Sequence, residues 1–249
     1  MTACDEIIAF LNSYLNVAQI PDASQNGLQV QGLQEVRKVA FGVSAGLELF
    51  RAAKQAGAQL VITHHGLLWG KEERLTGTFG ARVAYLCKND LALAAYHLPL
   101  DMHPVIGHNA CLIKKLGAQD PQPFGRYHGQ NIGFKGQIDL PLAETCAVLE
   151  QFCGAQGRLL AFGPEHIRTV GIVSGGGWNM LPQAVEEKLD LYVTGVVDEP
   201  VQEWCREGKI NCLALGHYNS EKPGVLAMMD LVKREFGVET EFIDIANPI

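Results

Sequence analysis

Short runs of apolar, β-branched residues alternate with stretches of helical periodicity along most of the chain. The first periodic stretch, residues 7–15, predicts an amphipathic helix, and Thr2 followed by Asp5 predicts a capping box at its start. Connections rich in Gly, Asp, Asn and Pro separate the later stretches, an arrangement that predicts an α/β fold. The predicted strands cover 39–43, 60–63 and 91–96, and the predicted helices cover 48–55, 79–88 and 104–116.

The second part of the chain repeats the pattern of the first. Residues 36–44 resemble residues 167–174, and a helical stretch follows each of these segments. A further strand comes next in both halves, at 58–63 and at 189–194. We therefore predict two similar, duplicated α/β units.

The boundary between the two units is expected in the segment 118–129, which carries Pro and Gly and has no periodicity. This gives a first unit over 1–124 and a second unit over 125–249, with C-terminal elements able to pack back on the first unit.

The composition limits the class of protein. With 249 residues and 47% hydrophobic positions, the chain is long enough to bury a core and is neither fibrous nor disordered. A net charge of −7 argues against a general nucleic-acid binder, which carries a basic excess.

Seven Cys without a C-x-x-C pair indicate free thiols in a reducing compartment. Because no apolar run reaches ~18 residues, and because Asp5 and Glu6 interrupt the N-terminal apolar stretch, we expect no membrane contact and a cytoplasmic location.

Histidine and carboxylate residues follow several predicted strands. In open α/β sheets the carboxyl ends of the strands are where ligands bind, so we expect these side chains to share a site. Imidazole with carboxylate suits Zn, Mn, Fe or Co, and an excess of carboxylate suits two ions that share a bridging acid. The candidates are the adjacent His64 and His65, the pair His97 and Asp101, and the pair His217 and Glu221.

For the other polar and aromatic residues, the sequence favours a role in turns or packing over a role in binding or catalysis. The Ser174–Gly177 segment could hold a phosphate at a helix start, but a tight strand-to-helix turn is favoured. The tryptophans are expected in packing or interfaces. The remaining histidines are expected at the surface or in ordinary packing: His103, His108, His128 and His166. Cysteines in helical or strand patterns are expected in the core: Cys87, Cys146 and Cys153.

Four motifs together resemble the Nif-three-like family, also called GTP cyclohydrolase I type 2 homologues. The motifs lie at 22–30, 63–66, 97–101 and 216–221, so the resemblance spans essentially the whole chain. It implies a dinuclear divalent-metal site in the cleft between the two α/β units and assembly into a ring-shaped homohexamer. It also implies these roles: His65 and Asp101 bind one ion, His64 and His217 bind the other, Glu221 bridges them, and His97 is a neighbour that orients a ligand or serves as an occasional ligand.

One position departs from the family pattern, because Val196 stands where the family commonly carries an acid after Gly195. If that acid contributes to catalysis, another group such as Glu199 must replace it, or activity is lost. The implied activity is metal-dependent hydrolysis of a nucleotide-like or other small substrate, with ring opening of GTP as the reaction in the family name. The rival hypothesis is a non-catalytic metal-binding protein or a regulatory interaction partner.

Overall fold

A computed structural model describes residues 2–71 and 73–249 and divides the chain into two compact units. The first unit contains the chain up to Leu100 together with Val225–Ala246, and the second contains Asp101–Gly224 with Asn247–Ile249. The predicted units, 1–124 and 125–249, differ from these compact units in the assignment of 101–124 and of the segment that begins at Val225.

The elements of the first part of the chain follow the predicted alternation of strands and helices. A short 3₁₀ turn, Val17–Gln19, follows the first helix. The elements are β1 (Thr2–Ala3), α1 (Cys4–Tyr14), β2 (Gly27–Val30), β3 (Glu35–Val36), β4 (Lys38–Ser44), α2 (Leu47–Gln55), β5 (Leu60–His65), α3 (Gly77–Lys88), β6 (Ala92–Ala95) and α4 (Leu98–Asp101).

The later part of the chain returns to the same alternation after a hairpin. A second 3₁₀ turn, Gly177–Met180, precedes α7. The elements are α5 (His108–Lys115), β7 (Gln119–Tyr127), β8 (Gln130–Pro141), α6 (Leu142–Cys153), β9 (Arg158–Leu160), β10 (His166–Val173), α7 (Leu181–Glu186), β11 (Leu191–Thr194), α8 (Val201–Gly208), β12 (Asn211–Ala214), α9 (His217–Ser220), α10 (Lys222–Phe236) and β13 (Glu239–Phe242).

Each unit contains a sheet with the same four-strand pattern. In the first unit β4, β5 and β6 are parallel, and β2 pairs antiparallel with β6. In the second unit β10, β11 and β12 are parallel, and β9 pairs antiparallel with β12. In both units the antiparallel edge strand precedes the parallel strands in the chain, as expected for two similar α/β units.

The two sheets differ at their other edge. In the first unit β13 adds a parallel strand beside β4, whereas in the second unit β8 and β7 add an antiparallel hairpin beside β10. The central parallel strands are buried on both faces, which explains why they read as continuous apolar runs in the sequence. The carboxyl ends of the parallel strands therefore lie on one side of each sheet, four strands in the first unit and three in the second.

The start of the first helix differs from the prediction. The capping box at Thr2 and Asp5 is wrong, because the residue that precedes α1 is Ala3 and no side chain caps the helix. Thr2 lies in β1, where it pairs with Val36, and its hydroxyl donates to Glu6 at 2.7 Å. The predicted amphipathic helix itself is present, since its apolar positions are buried: Ile7, Ile8, Leu11 and Leu15.

The segment 118–129 is not an unstructured connection, because most of it forms the edge strand β7. Pro121 and Pro123 lie in that strand, and its register with β8 shifts between Gln119 and Gln122. An edge position with an irregular register tolerates proline, so the composition hides the strand. The helix predicted over 104–116, which precedes this segment, also needs correction, since α5 begins at His108 rather than at residue 104. Among the described residues, no helix is both long and apolar enough to cross a bilayer.

Candidate metal centre

Three histidines converge at the carboxyl edge of the first unit's sheet. His64 and His65 are the last residues of β5, and His97 follows the end of β6. One ligand atom from each of the three rings lies within 4.8 Å of the others. The ring centroid of His64 is 4.5 Å from that of His65 and 5.0 Å from that of His97. Adjacent strand ends thus bring together side chains more than thirty positions apart in the sequence.

The first two of these rings are oriented through their Nδ1 atoms. His64 is fully buried, and its Nδ1 lies 2.9 Å from the carbonyl oxygen of Tyr96. A carbonyl only accepts, so Nδ1 carries the proton, and the neutral ring has its lone pair on Nε2. The Nδ1 of His65 lies 3.0 Å from the hydroxyl of Ser44, at the end of the neighbouring strand β4. This is how metal-binding imidazoles are oriented in proteins.

The third ring is held by the turn that precedes β2. Both carboxylate oxygens of Asp22 lie close to His97 Nδ1, at 3.0 and 3.2 Å, and one of them accepts the Leu98 N–H at 2.9 Å. The backbone N–H of His97 donates to Asn26 Oδ1 at 2.7 Å, and Asn26 in turn donates to Asp22. The turn therefore fixes both the backbone and the ring of His97.

The Asp22 carboxylate stays ionised in this setting. Burial alone raises the pKa of the carboxyl group, but the hydrogen bond and the charge of His97, with hydrogen bonds from Asn26 and the Ser24 N–H, outweigh burial. The net result lowers the pKa of Asp22 to about 2. An ionised carboxylate on Nδ1–H raises the basicity of the imidazole's other nitrogen.

In the second unit, His217 and Glu221 form a pair at the end of β12. His217 begins α9, Glu221 follows it, and His217 Nε2 lies 3.3 Å from Glu221 Oε1. The hydroxyl of Ser220, between them, donates to the His217 carbonyl at 2.9 Å and accepts the Gly175 N–H at 3.0 Å. These bonds connect the short helix to the end of β10.

Gly175 leaves space for this pair. Its φ is +61°, and a Cβ at this position would lie 2.1 Å from Glu221 Oε1 and 3.0 Å from His217 Nε2. The segment Ser174–Gly177 is a tight turn that leads into a one-turn 3₁₀ helix. Its glycine therefore admits the Glu221 carboxylate rather than forming a phosphate cradle.

Asp101 lies in a buried polar network that the sequence did not indicate. The carboxamide of Asn109 donates to the backbone carbonyls of Ile132 at 2.8 Å and Asp101 at 3.4 Å, and it accepts the Ser174 N–H at 2.7 Å. The Ser174 hydroxyl reaches Asp101 Oδ1 at 3.5 Å. Asn109 thereby connects the start of α5 to the end of β10, next to the Asp101 carboxylate.

His108 lies in the interior, as one of the two expectations for it had it, and not at the surface. It is fully buried, and its Nδ1 accepts the Gly224 N–H at 3.2 Å, so the neutral ring carries its proton on Nε2. A ring nitrogen of His108 and a carboxylate oxygen of Asp101 lie within 4.8 Å. The available signal was the adjacent polar pair, His108 and Asn109, at the start of an otherwise apolar helix.

The remaining candidates lie elsewhere. The Val196 N–H donates to the Gly175 carbonyl at 3.1 Å, so the backbone of Val196 contacts the turn at Gly175. Glu199 is exposed and lines a cavity of about 320 Å³ with Arg158. The rings of Trp178 and Trp204 stack on each other, with centroids 6.1 Å apart.

The other histidines and the cysteines differ in their exposure. His128 is exposed, and His166 is an exposed partner of Asp139 at 2.7 Å. His103 Nδ1 accepts backbone N–H groups of the turn before α5. Cys146 and Cys153 are buried as expected, but Cys87 is exposed, because α3 turns it away from the core.

The side chains present fit a divalent cation. Three imidazoles in the first unit and an imidazole with two buried carboxylates in the second are the ligand types that Zn, Mn, Fe and Co prefer. The Nδ1 contacts of the three first-unit rings, and the missing side chain at Gly175, favour this use over simple packing.

The chain is similar to known proteins along essentially its whole length. A family model described as Duf34/NIF3 (NGG1p interacting factor 3) matches residues 2–248. A protein of Archaeoglobus fulgidus named GTP cyclohydrolase 1 type 2 homolog is 40% identical over 240 residues, which cover 96% of this chain and 97% of the relative. A protein of the same name from Pyrococcus horikoshii is 38% identical over 247 residues, 98% of both chains.

Solved structures show the same fold along the whole chain. The protein TTHA1606 of Thermus thermophilus has a TM-score of 0.92 and 34% identity, with 100% of both chains covered. Reduced HcgD of Methanocaldococcus jannaschii has a TM-score of 0.88 at 20% identity and covers 98% of both chains, which is a likeness of fold alone. The family resemblance that the four motifs indicated is thus confirmed, and the chain belongs to the Duf34/NIF3 (NGG1p interacting factor 3) family.

Proposed function

We propose that the chain is a dinuclear divalent-metal-dependent hydrolase that acts on a nucleotide-like or other small substrate. Two ions of Zn, Mn, Fe or Co bind the five residues named by the resemblance: His64, His65, Asp101, His217 and Glu221. The observation that carries the proposal is the position of histidine and carboxylate side chains at the carboxyl ends of parallel strands in each unit.

Bound divalent ions supply an activated water, whose pKa falls from 15.7 to about 7, and a Lewis acid for the substrate oxygen. The chain's own residues orient the ligands. Tyr96 directs the Nε2 of His64, and Ser44 contacts the Nδ1 of His65. Ser220 fixes the backbone that carries His217, and Gly175 admits the carboxylate of Glu221.

The substrate class rests on the names of relatives. The proteins of Archaeoglobus fulgidus and Pyrococcus horikoshii are named for a GTP cyclohydrolase, which supports a nucleotide ring opened by water as the first substrate to test. We further propose a homohexamer in a reducing, cytoplasmic setting. The seven cysteines, all free thiols, support the reducing compartment.

A second function is favoured by one specific observation. Val196 stands where the family commonly carries an acid, and the exposed Glu199 contacts none of the proposed ligands among the described interactions. The family description also names an interacting factor. A non-catalytic metal-binding or regulatory interaction protein is therefore the alternative.

The deciding experiment is turnover of a nucleotide panel by the protein loaded with Mn, Zn, Fe or Co. Chromatographic detection of a hydrolysed product that disappears in Glu221→Gln and persists in His166→Gln supports the hydrolase. His166 is a suitable control because it is an exposed histidine paired with Asp139, outside the proposed ligands. Stoichiometric metal binding with no product from any nucleotide supports the alternative function.

A further inference from the structure

We propose that Trp69 recognises the substrate by stacking its indole on a planar heteroaromatic ring, and that Gln29 positions Trp69 for this role. The inference rests on the proposed function and deepens it, because it names the part of a nucleotide-like substrate that the protein selects. It also gives the 22–30 motif a function beyond its contacts with His97.

The first argument is the place of the indole. Trp69 lies in the segment that follows β5, and its ring centroid is 4.9 Å from that of His97 and 6.1 Å from that of His65. The side chain is half-buried rather than enclosed in the core. A large aromatic side chain that stays accessible at the carboxyl edge of an α/β sheet lies where ligands of such sheets bind.

The second argument is that the loop carrying Trp69 is held in one conformation. Gln29 Oε1 accepts the N–H groups of Leu67 at 2.7 Å and of Leu68 at 3.2 Å. Gly66 permits this approach, since a Cβ at that position would lie 2.5 Å from Gln29 Oε1. A loop that is ordered before the ligand arrives lowers the entropic cost of binding. Gln29 therefore acts on a ligand through the position of Trp69.

The third argument is what the indole can offer to a ligand. Its Nε1–H donates to the Gly66 carbonyl at 3.0 Å, so Trp69 presents only its π-face. Such a face attracts a planar ring or a cation. The Asp22 carboxylate of the same site is 2% exposed and accepts the N–H groups of Ser24 and Leu98, so it cannot pair with a cationic ligand. A planar heteroaromatic ring, such as a nucleobase, is the ligand that this wall favours.

The test separates the ring from the rest of a nucleotide. The full-length protein is titrated by calorimetry with guanosine monophosphate and with the same ribose phosphate without its base. The ratio of the two affinities measures the contribution of the ring. The monophosphates of adenosine, cytidine and uridine are titrated in the same way, with the protein both metal-free and incubated with Mn²⁺.

We expect Trp69→Leu to lower this ratio by about 5- to 150-fold, the effect of removing one base–aromatic stack, and to leave the affinity for ribose phosphate unchanged. Trp69→Phe keeps a smaller aromatic face and should retain most of the ratio. Trp204→Leu is the matched control, because it removes another half-buried indole, on α8 of the second unit, and should change neither affinity.

The role of Gln29 is tested by Gln29→Leu, which removes the acceptor of two N–H groups in the loop. We expect a lower ratio with unchanged binding of ribose phosphate. Gln25→Leu is its control, because the Gln25 side chain is exposed in the same motif, and it should keep the wild-type ratio. An equal loss of both affinities in Gln29→Leu would show a purely structural role and would overturn the positioning role.

Two results would overturn the role of Trp69. One is a wild-type protein that binds none of the four nucleoside monophosphates more tightly than ribose phosphate. The other is a Trp69→Leu variant that keeps the wild-type ratio or loses both affinities alike. The proposed function fails on different results, namely no uptake of metal or no hydrolysed product. A ratio that depends on Trp69 in the metal-free protein would then still establish ring recognition.

Discussion

Gly175 shows how one missing side chain creates room for a functional group. Substitution by Ala places a Cβ 2.1 Å from Glu221 Oε1 and also strains a φ of +61°. We expect Gly175→Ala to lose about 1–2 kcal/mol of unfolding free energy from the backbone strain and, in addition, to weaken metal binding. Gly117→Ala is the matched control, because its φ is +66° and nothing lies within 4 Å of its Cβ. Equal metal affinity in the two variants, measured by calorimetry, would contradict the role of Gly175.

Glu221 and Asp101 are both buried carboxylates, yet the resemblance gives them different roles. A bridging carboxylate offsets the repulsion between two ions about 3.5–4 Å apart, so Glu221→Gln should weaken both ions at once. Asp101→Asn should weaken mainly one. Metal titrations of the two variants decide between these roles: if Glu221→Gln keeps two tight sites while Asp101→Asn loses both, then Asp101 is the bridging ligand.

At the scale of elements, Asn109 holds α5 against the end of β10. Asn109→Ala leaves the Ser174 N–H and the Ile132 carbonyl without this partner in a buried setting, which costs about 1–3 kcal/mol. We expect a lower midpoint of denaturant unfolding together with weaker metal binding by Asp101, whereas Asn131→Ala, on an exposed position of β8, should change neither. An unchanged unfolding midpoint in Asn109→Ala would show that the network is not structurally important.

Two helices bury their cysteines differently, and this predicts a thiol reactivity pattern. In α6, Cys146 and Cys153 lie on the buried face, and burial raises the pKa of Cys146 to about 11 and that of Cys153 to about 12. In α3, Cys87 is exposed. Because only the thiolate reacts, an alkylating reagent at pH 8 should label Cys87 first and the α6 cysteines only after unfolding. Peptide mapping by mass spectrometry gives the order, and early labelling of Cys153 would contradict the burial.

The helices and strands that the sequence predicted are those whose side chains carry a local signal. The parallel strands β4, β5 and β6 are buried on both faces, so each appears as an apolar run, and the histidines that end or follow them were identified with them. β7 was missed because an exposed edge strand with two prolines has no such pattern. Asn109 was missed for another reason: its contact with Ser174 joins residues 65 positions apart, and no local pattern encodes that distance.

At the scale of the whole molecule, the repeated strand order explains why both halves supply ligand-type residues. β4-β5-β6 and β10-β11-β12 are each flanked by an antiparallel strand that precedes them in the chain. The carboxyl ends of parallel strands carry the histidines in the first unit and lead to His217 and Glu221 in the second. One repeated strand order thus places histidine or carboxylate residues after parallel strands in both units, although the residues at these positions differ.

The family resemblance implies a ring-shaped homohexamer, so light scattering should give six times the chain mass of 27.1 kDa, and a closed ring should keep this mass on dilution to about 1 µM. Metal removal with a chelator should leave the mass unchanged, because all the proposed ligands belong to a single chain and none bridges two copies. A particle of one chain mass at micromolar concentration would refute the hexamer. A hexamer that dissociates on metal removal would show instead that the metal centre and the contacts between chains are coupled.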